Sequence, residues 1–207
     1  MSDAEKSAEI TESLDMSALA SDIKRWSSEL GFQQTGITDT HLDEAEAHLM
    51  NWLKAERHGE MAYMAAHGYK RSRPDLLQPG TTRIISVRMD YLPPAAVDAN
   101  TVLNDTQLGY ISRYALGRDY HKVLRKRLQK LAERISVAIG PFNYRAFTDS
   151  APVLEKALAQ KAGLGWIGKH TNLLNQKAGS WFFLGELYTD LPLPIDDTAE
   201  NHCGTCQ

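Results

Sequence analysis

The first strong hydrophobic rhythm in the chain is helical. Ala18, Leu19, Ile23, Trp26 and Leu30 recur at three- and four-residue spacing, and Gly31 stands where a C-terminal cap belongs. A short β-prone run, Phe32 to Thr38, follows. Then Leu42, Ala45, Leu49, Trp52 and Leu53 predict a second amphipathic helix. Residues 58–80, HGEMAYMAAHGYKRSRPDLLQPG, break the rhythm, because Gly59, Gly68, Pro74 and Pro79 permit only short helical pieces. Thr82 to Leu92, TRIISVRMDYL, is rich in β-formers and predicts a central strand that Pro93 and Pro94 end. Beyond a polar loop over 95–107, a short strand is expected from Tyr110 to Tyr114. Asp119 is placed to cap a long helix whose buried stripe is Tyr120, Leu124, Leu128, Leu131 and Ile135. Phe142 to Thr148 reads as a strand ending at Asp149. Residues 151–162 read as a helix capped by Ser150, with Pro152 in its first turn. Trp181 to Thr189, WFFLGELYT, is a strand with one acid, Glu186, inside it. Helices and strands alternate without internal repeat, which predicts an α/β sandwich.

Composition narrows the class. With 43% hydrophobic and 24% charged residues in 207, the chain is an ordinary globular protein, one large domain or two small ones. No apolar run approaches the ~20 residues of a membrane span. The opening MSDAEKSAEITESLD is acidic, lacks the apolar stretch of a secretory signal and is expected to be disordered over 1–15. These features point to a cytoplasmic protein without membrane contact.

Charge is unevenly spread. Between Arg113 and Arg134 there are eight bases and two acids, a net of +6 in a chain whose total is −3. The segment is either a solvated helix face or a surface for a phosphate backbone. Lys70, Arg71 and Arg73 are similarly open between a solvated turn and an anion clamp. His58 and His67 have no third ligand near them in sequence, which argues against a metal there.

The stretch from Arg145 to Glu186 concentrates special-purpose residues. Gly163, Gly165 and Gly168 spell G-x-G-x-x-G, with Glu186 near the offset of a ribose-binding acid. The context is wrong for a dinucleotide, however, since a helix precedes the glycines and a weak helix former follows them. They more plainly end that helix and let backbone approach a flat ligand. Asp149 sits where a strand gives way to a helix. It is either a cap or dipole partner, or a proton donor desolvated by an apolar ligand face. Lys169 and His170 follow the glycines directly and become donors beside an amide- or phosphate-bearing cofactor. Cys203 and Cys206 form C-x-x-C at the end of the chain. This is a redox pair without its helix, half a zinc site, or the start of a ferredoxin pattern.

The segments GYISRYALGRDYHKVLR, FTDSAPVLEKALAQKAGLGWIGKHTNLLN and GSWFFLGEL, closing on CGTC, resemble the epoxyqueuosine reductase family, from about residue 17 onward. The resemblance implies a three-layer cobalamin-binding domain with a central mixed sheet, akin to those of reductive dehalogenases and a cobalamin-trafficking protein. That domain would span 16–190. Residues 191–207 would be a linker and the start of a truncated ferredoxin-like [4Fe-4S] module. The implied activity is reduction of epoxyqueuosine to queuosine in the tRNA anticodon loop, using cobalamin, [4Fe-4S] clusters and an external electron donor, by a monomer. Asp149 matches the proton donor. Arg71, Ser112, Leu154, Lys169, His170, Asn172, Leu173, Ser180 and Leu184 match positions around the cofactor. Lys156 falls on the substrate side, Arg125 and Lys126 on the tRNA side, and Cys203 and Cys206 among the cluster ligands. With only those two cysteines, the chain is expected to be a fragment that does not turn over alone. The competing expectations are a flavin- or nicotinamide-dependent oxidoreductase and a non-catalytic cobalamin carrier.

Overall fold

The computed structural model describes residues 14–204. Helix α1 (Met16–Glu29) begins where the carboxylate of Asp15 accepts the backbone N–H groups of Ser17 and Ala18. Leu14 packs against the core beneath it. The disorder expected over 1–15 therefore does not reach Leu14 and Asp15, and its remainder lies outside the described residues. After β1 (Gln34–Thr38) and α2 (Asp43–Lys54), residues 62–71 form two short 3-10 turns that lead into α3 (Pro74–Leu77). Strand β2 (Arg83–Asp90) is followed by α4 (Ala99–Asn104) and then the long α5 (Tyr120–Ile139). The strand expected over 110–114 is absent; that segment is loop, with a 3-10 turn at Arg113–Ala115. Its aromatic and β-branched residues stay exposed and have no neighbouring strand to pair with.

The chain closes with β3 (Tyr144–Phe147), α6 (Glu155–Lys161), a two-residue ladder of β4 (Trp166–Ile167) and β5 (Leu173–Leu174), and β6 (Phe182–Thr189). Helix α6 starts later than its sequence predicts. Ser150 does not cap it, because residues 149–154 form a loop that places Asp149 before the helix begins. The main sheet has the order β1-β2-β6-β3, and every neighbouring pair is antiparallel. The mixed sheet implied by the family resemblance is corrected accordingly. The periodicity locates a strand but not its direction. Here the connection through the broken 55–82 segment delivers β2 against β1, and β6 enters between β2 and β3, antiparallel to both.

Strand alternation divides the sheet into two faces. Ile37, Ile85, Val87, Met89, Ala146 and Leu187 point toward α1 and α5 and join Leu19, Ile23, Leu124, Leu128, Leu131 and Ile135 in the largest core. On the other face, Ile84, Phe147 and Tyr188 pack with Leu158 of α6. Close approach there requires glycine in β1, because a Cβ at Gly36 would lie 1.8 Å from the carbonyl oxygen of Ala162. Residues 190–202 contain no helix or strand, yet they lie on the body. Leu191 and Leu193 are buried, the Asp196 carboxylate accepts the Ile37 N–H at 2.8 Å and pairs with Lys24, and the Ala199 N–H reaches the Gln160 carbonyl at 3.0 Å.

Candidate active site

Asp149 leaves the C-terminal end of edge strand β3 with a φ of 54°, a left-handed conformation that costs a non-glycine residue about 1 kcal/mol or more. Three contacts hold it. Tyr120, in the first turn of α5, donates its hydroxyl to the Asp149 carboxylate at 2.5 Å. His121 Nε2 lies 3.1 Å from the same oxygen. The backbone N–H of Asp149 donates to Glu155 Oε1 at 2.5 Å. Tyr120 is fixed by parallel stacking on Phe183, with centroids 3.9 Å apart and planes 5° apart, and on its other side by the His121 ring. His121 Nδ1 lies 3.0 Å from Asp119 Oδ1, which holds the Asp119 carboxyl below its ordinary range. Burial and the bond to Asp149 push the Tyr120 hydroxyl well above the usual phenol range, so it remains a donor.

The Asp149 side chain is 58% exposed. It is not yet desolvated, but it faces a hollow rather than open surface. That hollow, about 540 Å³, is lined by Leu49, Trp52, Met64, Arg71, Asp149, Val153, Leu154 and Lys156, among others. A second, of about 400 Å³, lies between Tyr91, Lys156, Asn172, Leu173, Ser180, Trp181, Phe182 and Leu184. A third, of about 540 Å³, is lined by Tyr91, Pro93, Val97, Tyr110, Ile111, Arg113 and Leu116. Lys156 is shared by the first two and Tyr91 by the last two. Lys156 also ties the walls together, since its ammonium donates to the Thr171 carbonyl at 2.6 Å, on a residue that is itself left-handed.

Most of the sequence-derived candidates gather here. Arg71, Asp149, Leu154 and Lys156 line one hollow; Asn172, Leu173, Ser180 and Leu184 line the next. Lys169 and His170 occupy the exposed turn between β4 and β5. Ser112 is not among the residues lining these three hollows, although Ile111 and Arg113 beside it are. Arg125 donates to the Ser150 hydroxyl at 3.3 Å, next to Asp149. Lys126 lies in a basic groove with Arg118, Lys122, Arg127 and Lys130. Part of the charge run is structural. Arg127 donates to the Gly31 carbonyl at 2.9 Å, and Arg134 pairs with Glu29 at 2.5 Å.

Of the 70–73 bases, Arg73 forks onto Glu46 at 2.7 and 2.8 Å, holding that carboxyl down to about 2, with help from the Ser72 hydroxyl. Arg71 keeps a buried Nε without a partner. Gly165 serves close packing, since a Cβ there would meet the Leu174 carbonyl at 2.0 Å; the fingerprint reading is not needed to explain it. Cys203 is a half-buried free thiol, and the adjacent His202 packs edge-on against Trp166. Cys206 lies outside the described residues. Among the described residues no cluster of three or more His, Cys, Asp or Glu is placed to hold a metal.

Sequence reasoning missed four residues of this arrangement. Periodicity places Tyr120 only in the core stripe, His121 and Glu155 carry no sequence signal, and Glu186 stands out only as an acid within an apolar strand and at the fingerprint's offset. Glu186 had a legible signal, an acid inside an apolar strand; the others depend on the chain reversal at 149–154.

A large flat cofactor fits these residues. Three adjacent hollows that share lining residues, two of them mainly apolar, together offer more room than an ordinary small-ligand pocket. Tyr110, Ile111, Tyr114, Leu116 and Trp181 are all exposed around them, and the partnerless Arg71 Nε awaits an acceptor.

The comparisons agree. The family model described as Epoxyqueuosine reductase QueG, DUF1730 matches residues 71–150. An epoxyqueuosine reductase of Pseudomonas aeruginosa is 64% identical over 193 residues, covering 93% of this chain and 53% of that protein. The Escherichia coli enzyme is 58% identical over 197 residues, covering 95% and 52%. The chain thus spans about half the length of the curated relatives it matches. Among solved structures, epoxyqueuosine reductase from Streptococcus thermophilus superposes with a TM-score of 0.74 at 28% identity, covering 89% of this chain and 49% of that one. An epoxyqueuosine reductase bound to an epoxyqueuosine-modified tRNA stem loop gives 0.75 at 23%, covering 93% and 50%. A reductive dehalogenase with a B12-dependent mechanism shares the fold at 0.55 and 18%, covering 92% and 22%. In sequence and in fold, this chain is a relative of the epoxyqueuosine reductases, matching them along about half their length.

Proposed function

We propose that this chain is the cobalamin-binding, catalytic part of an epoxyqueuosine reductase, which reduces the epoxide of epoxyqueuosine in tRNA to queuosine in the cytoplasm. The observation that carries the reading is Asp149, held on a strained loop at the mouth of the adjacent hollows by Tyr120 and His121. Arg71, Leu154, Asn172, Leu173, Ser180 and Leu184 would hold the cobalamin, with Lys169 and His170 on the turn above. When bound, the cobalamin supplies the reducing chemistry, and its electrons come from a donor outside this chain.

The protein's own part is the proton. Opening an epoxide develops negative charge on its oxygen, and a positioned acid lowers that barrier. Asp149 supplies the proton once a ligand face covers its exposed side. His121 can restore it: with Nδ1–H donated to Asp119, Nε2 exchanges a proton with the Asp149 carboxyl, and the partly open ring draws on solvent. Tyr120 fixes the carboxylate through its short hydrogen bond. Lys156, Arg125, Lys126 and the basic groove beside them would meet the tRNA backbone. Cys203 and Cys206 make up at most half of a four-thiolate set, so an iron-sulfur centre does not fit this chain's residues alone.

The test is Asp149→Asn in the full-length enzyme reconstituted with cobalamin. Turnover should fall by about 10²–10⁴-fold while the corrinoid absorption bands persist. Unchanged turnover removes Asp149 as the donor. Absence of corrinoid bands in the unsubstituted protein, with flavin or nicotinamide bands in their place, overturns the cofactor.

A further inference from the structure

The face of the sheet that carries the site has an unusual interior. Glu186, in the middle of β6, is fully buried, and neither carboxyl oxygen meets a partner in hydrogen-bonding geometry. Ser86 is its cross-strand neighbour on β2; its hydroxyl is also buried and also lacks a partner. The carboxyl of Glu155 lies against Glu186 from the start of α6, and its Oε1 accepts the N–H of Asp149. The same region is faced by Asp149, His121, Tyr120 and Tyr188.

We propose that Glu155 is a positioning residue for Asp149, and that the half-buried Glu155 and the buried Glu186 form a pair holding one shared proton that sets how firmly the Asp149 loop is held. Two touching carboxyls cannot both ionise. With one proton, borne by the deeper Glu186, the Glu186 O–H is directed at Glu155, and the charged Glu155 accepts the Asp149 N–H as a charge-assisted bond. A second proton weakens that last bond. Removal of the shared proton sets two buried charges against each other. Burial, with the charge of Asp149 adding to it, drives the titration of Glu155 up to about 7, offset in part by the Asp149 N–H, by the hydrogen bond from Glu186 and by His121. Burial and the neighbouring Glu155 raise Glu186 further. The catalytic meaning of this pair rests on Asp149 being the proton donor.

The primary measurement is the amide proton shift of Asp149 in the ¹⁵N-labelled 207-residue chain, followed between about pH 5 and about pH 9. An amide bonded to a carboxylate moves when that acceptor titrates. The resonance should move with a midpoint near neutrality, stay still in Glu155→Gln, and still move but with an altered midpoint in Glu186→Gln, where an amide replaces the carboxyl that donates to Glu155. A flat wild-type profile, or the same movement in Glu155→Gln, overturns the proposal, and the wild-type profile decides even if a variant fails to fold. In the full-length holoenzyme, Glu155→Gln should lower kcat about tenfold with KM unchanged, and Glu155→Asp should recover part of the loss. Unaltered kcat with a lost amide titration also overturns it. If Asp149→Asn turns over normally while the amide titrates as expected, the donor assignment fails and the pair still holds the loop.

Discussion

The two faces of the sheet are built from the same strands and are chemically unlike. Toward α1 and α5, the side chains of β2 and β6 are Ile85, Val87, Met89 and Leu187, in a continuous apolar core. Toward α6, the alternate positions of the same strands put Ser86, Arg88 and Glu186 beside Ile84 and Tyr188, all buried, and the three polar ones carry atoms without a hydrogen-bond partner. A buried polar group without a partner costs about 1–3 kcal/mol, so a face chosen for stability alone would not collect three. One face holds the domain together. The other gives up some of that stability to place Asp149, Lys156 and the adjacent hollows.

The sharpest break of this comparison is Asp149→Asn, expected to cost about 10²–10⁴ in turnover of the whole enzyme with only a small change in melting temperature, since the side chain is 58% exposed. Next is Leu128→Ala on the scaffold face. Leu128 is completely buried, and its truncation should destabilise by about 2–5 kcal/mol, read by denaturant unfolding, while the folded fraction binds cobalamin as before. If that variant instead altered the corrinoid spectrum, the separation of the two faces would be lost.

A smaller effect is expected from the carboxyl pair. Glu155 and Glu186 both titrate above their ordinary values in the folded chain. For a raised carboxyl, the folded state holds more protons than the unfolded one. The stability involved is therefore complete below about pH 4.5 and is lost as pH rises through about 7. Glu186→Gln should remove much of that slope, becoming more stable than the parent above neutrality by on the order of 1–3 kcal/mol. Parallel pH–stability curves for the two proteins would contradict the assignment. The smallest effect concerns the basic groove. Reversing charge at Arg125 and Lys126 should reduce the slope of log affinity for tRNA against log salt by about 1–2, through lost counterion release. An unchanged slope would return α5 to being a merely solvated face.

How much of this was legible differs by residue. The stripe Leu124, Leu128, Leu131, Ile135 was readable because helical periodicity is local, and all four are fully buried. The centrality of β2 was readable from its unbroken β-rich run, and α1 and α2 from their stripes. The late start of α6 was not. Pro152 and Ser150 suit a helix start, but residues 149–154 instead make the loop that turns Asp149 left-handed and sends its N–H to Glu155. Tyr120 looked like a core residue and is half one. Its ring stacks on Phe183 while its hydroxyl belongs to Asp149, a contact spanning 29 positions that no local pattern encodes. In the same way, one C-x-x-C pair identifies a ligand type but not a complete ligand set.

By itself the sequence determined where helices and strands form, which stripe of each is buried, and, through dense matching motifs, the family to which the chain is akin. These follow from short-range sterics and from the burial of apolar side chains, both written in nearest-neighbour order. Only the tertiary structure decided the direction of the strands, the sharing of Lys156 and Tyr91 between neighbouring hollows, and the approach of Glu155 to both Glu186 and Asp149. Those depend on contacts between residues far apart in the chain, where position is set by packing of the whole rather than by any segment's own preference.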